Sequence, residues 1–302
     1  MSVLVLGGGN SPEREVSLRS AAYITQAAIT AGFDVSQADP SNGLGFLDQI
    51  DPKTVILPIL HGKGGEDGVI QTELERRKLP YLGSGSQAAS NCFDKWKTRL
   101  VAKEHGIPVP DGLLATKETY RGNPIAKKLH VLKVVHGGSS LGVMIVRDPQ
   151  NINQNELDEV FKLENQAIVE RLVEGVEVTV PVLDQTALSP IEIIPPAGGE
   201  FDYVNKYNGR TQELCPPKTI SSQKQDELRQ LAEKVHKTMN CRHLSRVDFM
   251  LDREGRPFML EVNVIPGLTD QSLFPKAAAV AGLSMPDLVS FFIAMVKRDY
   301  KL

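Results

Sequence analysis

Residues 3–18, VLVLGGGNSPEREVSL, read as strand, loop and helix: a short apolar run, a turn of three glycines, then Ser11-Pro12-Glu13 opening a helical stretch that reaches about Thr30. The unit recurs. Thr54 to Leu60 is a second apolar run, the polar loop HGKGGEDG (61–68) ends it, and another helical stretch follows through Arg77. Two β-α units in succession imply a parallel sheet and so an α/β fold, with ligand-binding loops at the carboxyl ends of the strands. Both glycine-rich loops fall at such ends. The first departs from a dinucleotide-binding fingerprint, because Pro12 stands where the third glycine belongs. Arg14 and Glu15 read as charges of a first helical turn. His61 reads equally well as a loop-end histidine satisfied by backbone and as a substrate contact.

The chain has 302 residues, too many for one ordinary core, so two or three domains of roughly 100 residues each are expected. With 41% hydrophobic and 24% charged residues, neither disorder nor a fibrous repeat is suggested. A net charge of −3 leaves no electrostatic footprint for nucleic acid or an anionic membrane, and small-molecule partners are expected instead. Cys92, Cys215 and Cys241 are odd in number and far apart, which speaks against a disulfide framework and fits a reducing cytoplasm. No apolar run approaches the roughly 18 to 20 residues of a membrane span, and VLVL has no basic region before it, so export is not expected.

Farther along, a helix-like stretch from Lys95 to His105 leads into the proline-punctuated step Ile107-Pro108-Val109-Pro110, which suits a domain junction nearby. The organisation expected is 1–93, 94–175 and 176–302. Val131 to Val135 reads as a strand, Gly137 to Gly142 as a loop and Val143 to Val146 as a returning strand, a glycine-rich hairpin. Its loop could cradle phosphates through backbone amides or be an ordinary turn. It is no Walker loop, since no lysine follows the glycines; Lys133 lies in the strand before them and needs an anion there, for which a triphosphate would serve. The segment from Pro195 to Lys218 reads as one long irregular loop of the functional kind.

The strongest chemical signal is the last hairpin, SRVDFMLDREGRPFMLEVN (245–263). Arg246 and Asp248 interrupt one apolar strand, Glu261 and Asn263 the other. A register centred between Glu254 and Gly255 sets Asp248 opposite Glu261 and Arg246 opposite Asn263, all on one face. Opposed carboxylates repel each other unless a cation lies between them, and oxygen ligands of this kind suit magnesium holding a substrate phosphate. The alternative is an exposed polar face, which the apolar remainder of the hairpin weakens.

Taken in order, GGGNSPEREVSL (7–18), HGKGGEDGVIQ (61–71), PYLGSG (80–85), FDKWKTR (93–99), GGSSLGV (137–143), FDYVNKY (201–207), SRVDF (245–249) and LEVNVIPGLTDQSLFP (260–275) resemble the D-alanine–D-alanine ligases over nearly the whole chain. The resemblance implies a three-domain ATP-grasp architecture, an α/β parallel-sheet domain followed by two domains that hold ATP between them. It implies two D-alanine molecules joined through an acyl phosphate for peptidoglycan synthesis, by a homodimer in the cytoplasm. Lys95 and Lys133 would contact ATP phosphates, and Glu170, Arg171, Leu172, Glu177 and Leu260 would complete the nucleotide site. Asp248, Glu261 and Asn263 would hold two magnesium ions, for which manganese could substitute. Glu13 would bind the first ammonium, with His61 nearby; Lys206, Ser272 and Leu273 would receive the second carboxylate. Arg246 and the Gly267 amide would stabilise the oxyanion, and Ser139 and Tyr207 would close the site over Glu13.

Some positions depart from that family's pattern: Val134 where proline is usual, Gly137 where many members have Glu, Val264 in place of Thr, and Phe201 and Val204-Asn205 before Lys206. None removes a proposed ligand or catalytic group. The rival readings are a related ligase taking D-lactate, D-serine or another small amino acid second, which Tyr207 argues against, and a nucleotide-binding scaffold without turnover.

Overall fold

The structure, a computed structural model, describes residues 2–138, 141–196 and 211–302. Strands β1 (Ser2–Leu6), β2 (Asp34–Ala38) and β3 (Val55–Pro58) form a parallel sheet in the order β2-β1-β3. The central strand is apolar because both of its faces are covered, as parallel sheets require. The helix Arg14–Thr30 buries Ser17, Ser20, Ala21, Ile24, Ala27 and Ala28, a stripe at helical spacing. Small residues on that stripe let the helix lie close to the glycine turn: a Cβ on Gly7 would come within 2.4 Å of Ala21 Cβ. Ser17 then ties the two loops, accepting from Gly8 N at 2.9 Å and donating to Ile59 O at 2.6 Å. Strand β2 escaped the sequence reading because DVSQA is largely exposed at a sheet edge and carries no apolar run.

Strands β4 (Gly112–Ala115), β5 (His130–Val134), β6 (Val143–Val146) and β7 (Ala167–Arg171) make a second, antiparallel sheet ordered β4-β7-β5-β6. The glycine-rich hairpin is present, with Lys133 paired to Val143 across β5 and β6. A third sheet contains β8 (Gly175–Leu183), β9 (Thr186–Ala187), β10 (Ile191–Ile194), β11 (Gln212–Leu214), β12 (Leu244–Asp252) and β13 (Pro257–Asn263), ordered β11-β10-β8-β12-β13 with β9 on β8. Strand β11 corrects part of the long loop expected between Pro195 and Lys218: three residues there complete the sheet edge.

The chain's end returns to its beginning. Phe274, Phe292 and Ile293, on the helices Leu273–Val280 and Met285–Tyr300, share one core with Val3, Val5 and Ile24. The junction is fixed by polar groups too. Gly83 N donates to His243 Nδ1 at 3.0 Å, and His243 Nε2 meets Asp299 at 2.9 Å. Arg242 lies over the rings of Tyr81 and Tyr300, 4.8 and 5.4 Å from their centroids. No single helix among the described residues is long and apolar enough to cross a membrane. Cys92 and Cys241 are not bonded, although their sulfurs lie 3.9 Å apart.

Candidate active site

A cleft of about 850 Å³ opens where these parts meet. Glu13, His61 and Glu66 reach it from the loops at the carboxyl ends of β1 and β3, Lys95 from the start of the helix Lys95–Glu104, and Gly137 and Gly138 from the hairpin loop. Arg246, Glu261 and Asn263 reach it from the last hairpin, and Gly267, Ser272 and Leu273 from the segment after it. Residues far apart in sequence therefore line one cleft. Ser139, Lys206 and Tyr207 lie outside the described residues.

Glu13 begins the helix Arg14–Thr30, yet its side chain makes no capping bond there. Its carboxylate instead fills the space between two glycines: a Cβ on Gly62 would lie 1.9 Å from Glu13 Oε2, and one on Gly138 would lie 2.9 Å from Oε1. Gly62 is also left-handed, at φ +71°. The turn is held by Glu66, whose Oε2 accepts from Gly62 N at 2.6 Å. Burial pushes the Glu66 carboxyl up to about 8, against the Gly62 N–H and with help from Glu13. His61 is buried with Ser20 Oγ 3.2 Å from Nε2. Burial brings it down to about 4, the Ile265 backbone opposes this and Arg246 adds to it, so the ring is neutral. Arg14 takes no part, being paired with Asp39 at 2.6 Å.

The hairpin has the expected pairing at its chemical end: Arg246 faces Asn263 and Asp248 faces Glu261. Beyond it the register slips, so that Phe249 faces Met259 and Leu260 is left over as a bulge. The slip lets Met259 and Val262, three apart, both enter the core, while Leu260 turns to a neighbouring cavity and Glu261 to the cleft. The opposed carboxylates are each met by a protein cation. Arg246 grips Asp248 through Nε at 2.9 Å and Nη2 at 2.7 Å, Thr179 donates to Asp248 at 2.5 Å, and Lys95 Nζ lies 3.9 Å from Glu261. Burial works against the Arg246 charge, but Asp248, Glu261 and Glu66 outweigh it and raise its pKa. Among the described residues no three His, Cys, Asp or Glu side chains converge to hold a metal ion, and the further oxygen donor expected beside the two carboxylates is the Asn263 amide. Its Oδ1 accepts from Ile265 N at 2.9 Å and keeps a second lone pair. Two carboxylates and an amide are all oxygen donors, and they suit a hard divalent cation.

The residues expected around the nucleotide lie between the second and third sheets. Lys95, Lys133, Glu170 and Leu260 line a cavity of about 10 Å³ there, with Arg99. Lys133 has found its anion within the chain: Nζ lies 2.6 Å from Glu170, which Arg99 approaches at 3.3 Å. Lys95 donates to Gly137 O. Burial lowers the Lys95 pKa, an effect that Glu261 offsets and Lys133 reinforces. Arg171 lies over the Phe258 ring at 5.0 Å, Leu172 N donates to Leu129 O at 3.2 Å, and Glu177 sits on β8 opposite Met250.

The fold agrees with the comparisons to known proteins. The family model for the C-terminal part of D-Ala-D-Ala ligases matches residues 101–294. The chain belongs to the D-alanine–D-alanine ligase family. A D-alanine–D-alanine ligase of Syntrophotalea carbinolica is 39% identical over 300 residues, 97% of this chain and 95% of that one. The corresponding protein of Actinobacillus succinogenes is 38% identical over 295 residues, 95% of each chain. Two Bacillus anthracis D-alanine–D-alanine ligase structures cover 100% of this chain and 99% of theirs: one has TM-score 0.86 at 28% identity, and one complexed with ATP has 0.83 at 27%. The three-domain ATP-grasp architecture of the family is therefore that of this protein.

Glu66 and Arg99 were not singled out from sequence, although both stand inside the matched motifs. An acid set among glycines at a strand's carboxyl end was the available signal for Glu66. Arg99 shares its helical stretch with Lys95, Lys97 and Lys103, so residue type alone does not mark it.

Proposed function

We propose that this protein joins two D-alanine molecules to D-alanyl-D-alanine at the expense of ATP, with ADP and phosphate released, for peptidoglycan precursor synthesis. The observation that carries this reading is the opening of Glu13, from the first domain, onto the same cleft as Arg246, Glu261 and Asn263 from the last hairpin. An amino acid whose ammonium lies against Glu13 presents its carboxylate toward the cationic side of the cleft. That carboxylate attacks the γ-phosphate of ATP, giving an acyl phosphate and ADP. The neutral amine of the second D-alanine then attacks the acyl carbon and displaces phosphate.

Each group has a task set by charge. Lys95 and Lys133 neutralise phosphate oxygens, and for Lys133 this means leaving Glu170 for the nucleotide. Asp248, Glu261 and Asn263 would hold magnesium, which supplies further positive charge against the triphosphate. Arg246, kept firmly protonated, and the Gly267 amide face the developing oxyanion. Neutral His61 keeps a positive charge away from the ammonium at Glu13. Ser272 and Leu273, at the start of a helix, receive the second carboxylate. In this reading Lys206 joins Ser272 and Leu273 at the second carboxylate, and Ser139 and Tyr207 close the site over Glu13. A cytoplasmic homodimer belongs to it as well, on family resemblance.

The test is a panel of D- and L-amino acids, with D-lactate and D-serine, assayed for phosphate release with product masses. Magnesium-dependent D-alanyl-D-alanine is the expected main product. Phosphate release indifferent to amino acids would refute it, and a preference for D-lactate or D-serine would move the assignment to a related ligase.

A further inference from the structure

The helix Leu273–Val280 starts at Ser272 and carries Lys276 one turn on. Lys276 N donates to Ser272 O at 3.2 Å, so the two residues occupy the same face. Lys276 lines the cleft together with Arg246, Gly267 and Ser272, and its ammonium pairs there with Glu213 of β11. The pair is at the cleft wall, the Lys276 side chain 34% exposed and that of Glu213 14%. None of the groups assigned above to ATP or to the first D-alanine uses this pair.

An acceptor amine that is neutral when it attacks still carries a carboxylate, so the acceptor end of the cleft must recognise an anion beside Ser272. We propose that Lys276 is a specificity-determining residue for the second amino acid, its ammonium recognising that carboxylate while Glu213 competes for the same charge. The inference rests on the ligase reading with Ser272 at the acceptor end. It gives the two partners opposite effects. Without Lys276, Glu213 faces the incoming carboxylate as an unmatched like charge; without the Glu213 charge, the ammonium is shared with nothing else. A purely structural ion pair, pinning β11 to the helix, would instead make both substitutions harmful in the same way.

The experiment resolves dipeptide formation against D-alanine concentration into a donor KM and an acceptor KM, for the parent and for Lys276→Met, Lys276→Arg and Glu213→Gln, with Tm recorded for each. For a half-exposed charge the expected change is about fivefold. Lys276→Met should raise the acceptor KM, Glu213→Gln should lower it and Lys276→Arg should hold it near the parent value, with the donor and ATP KM unchanged. Acceptor KM values that move in the same direction for Lys276→Met and Glu213→Gln, or that do not move, overturn the proposal. A parent enzyme that forms no dipeptide refutes the ligase reading itself.

Discussion

Gly62 and Gly64 form a matched pair for testing whether Glu13 positions the first amino acid. Both are left-handed, at φ +71° and +88°. A β-carbon in that conformation costs about 1 kcal/mol at either position. Around Gly64 nothing lies within 4 Å of the added carbon, whereas at Gly62 it meets Glu13 Oε2 at 1.9 Å. The carboxylate would have to move by on the order of 1 Å, a displacement that typically costs roughly 100-fold in rate for a reacting group.

Gly62→Ala should therefore lose about two orders of magnitude in kcat/KM for D-alanine with ATP affinity unchanged, while Gly64→Ala keeps near-parent activity. Thermal unfolding should find both variants destabilised by about 1 kcal/mol, or roughly 2 °C in Tm. Coupled ADP-release kinetics on the pair, with calorimetry for ATP, is the measurement. Equal activity in two equally destabilised variants would refute the assignment of Glu13, because the added carbon meets its carboxylate at Gly62 and meets nothing at Gly64.

Three further outcomes follow from the geometry. Glu261→Gln removes one of the two carboxylates proposed for magnesium and should lower turnover at limiting magnesium by about 100-fold or more; near-normal rates there would end the metal assignment. Lys133→Met should weaken ATP binding by about 10-fold or more by calorimetry, and unchanged affinity would leave Lys133 as a structural partner of Glu170. His243, wholly buried, accepts from Gly83 N at Nδ1 and is held down at about 4 by burial, so the folded state binds the neutral ring. Its stabilisation is present above the ordinary histidine value of about 6.5 and lost as pH falls toward 4, up to about 3 kcal/mol; Tm against pH should fall less steeply over that window in His243→Gln.

The parts of this architecture that were legible in sequence are those where burial forces a pattern. VLVL sits at the centre of a parallel sheet and had to be apolar throughout, and the two glycine loops follow from the strand ends. Strand β2 was invisible because an edge strand can stay polar, and β11 because three residues are too few to show alternation. The return of the helices Leu273–Val280 and Met285–Tyr300 to the first sheet was equally hidden: an apolar helix face does not say which core it joins.

The hairpin shows the same limit at the level of chemistry. Period-two alternation placed Asp248 opposite Glu261 correctly, because the polar residues on facing strands admit that pairing. The bulge at Leu260 could not be read, since one extra residue in an apolar strand changes no residue type, yet it decides that Leu260 and Glu261 serve different cavities. Repulsion between Asp248 and Glu261 calls for a cation but does not say which one, and Arg246, two residues along the same strand, grips Asp248 with both oxygens engaged. A magnesium ion held at Asp248 as proposed would have to share or displace this bidentate guanidinium, and Arg246 would then be released toward the proposed oxyanion, so that metal loading would be coupled to the oxyanion contact.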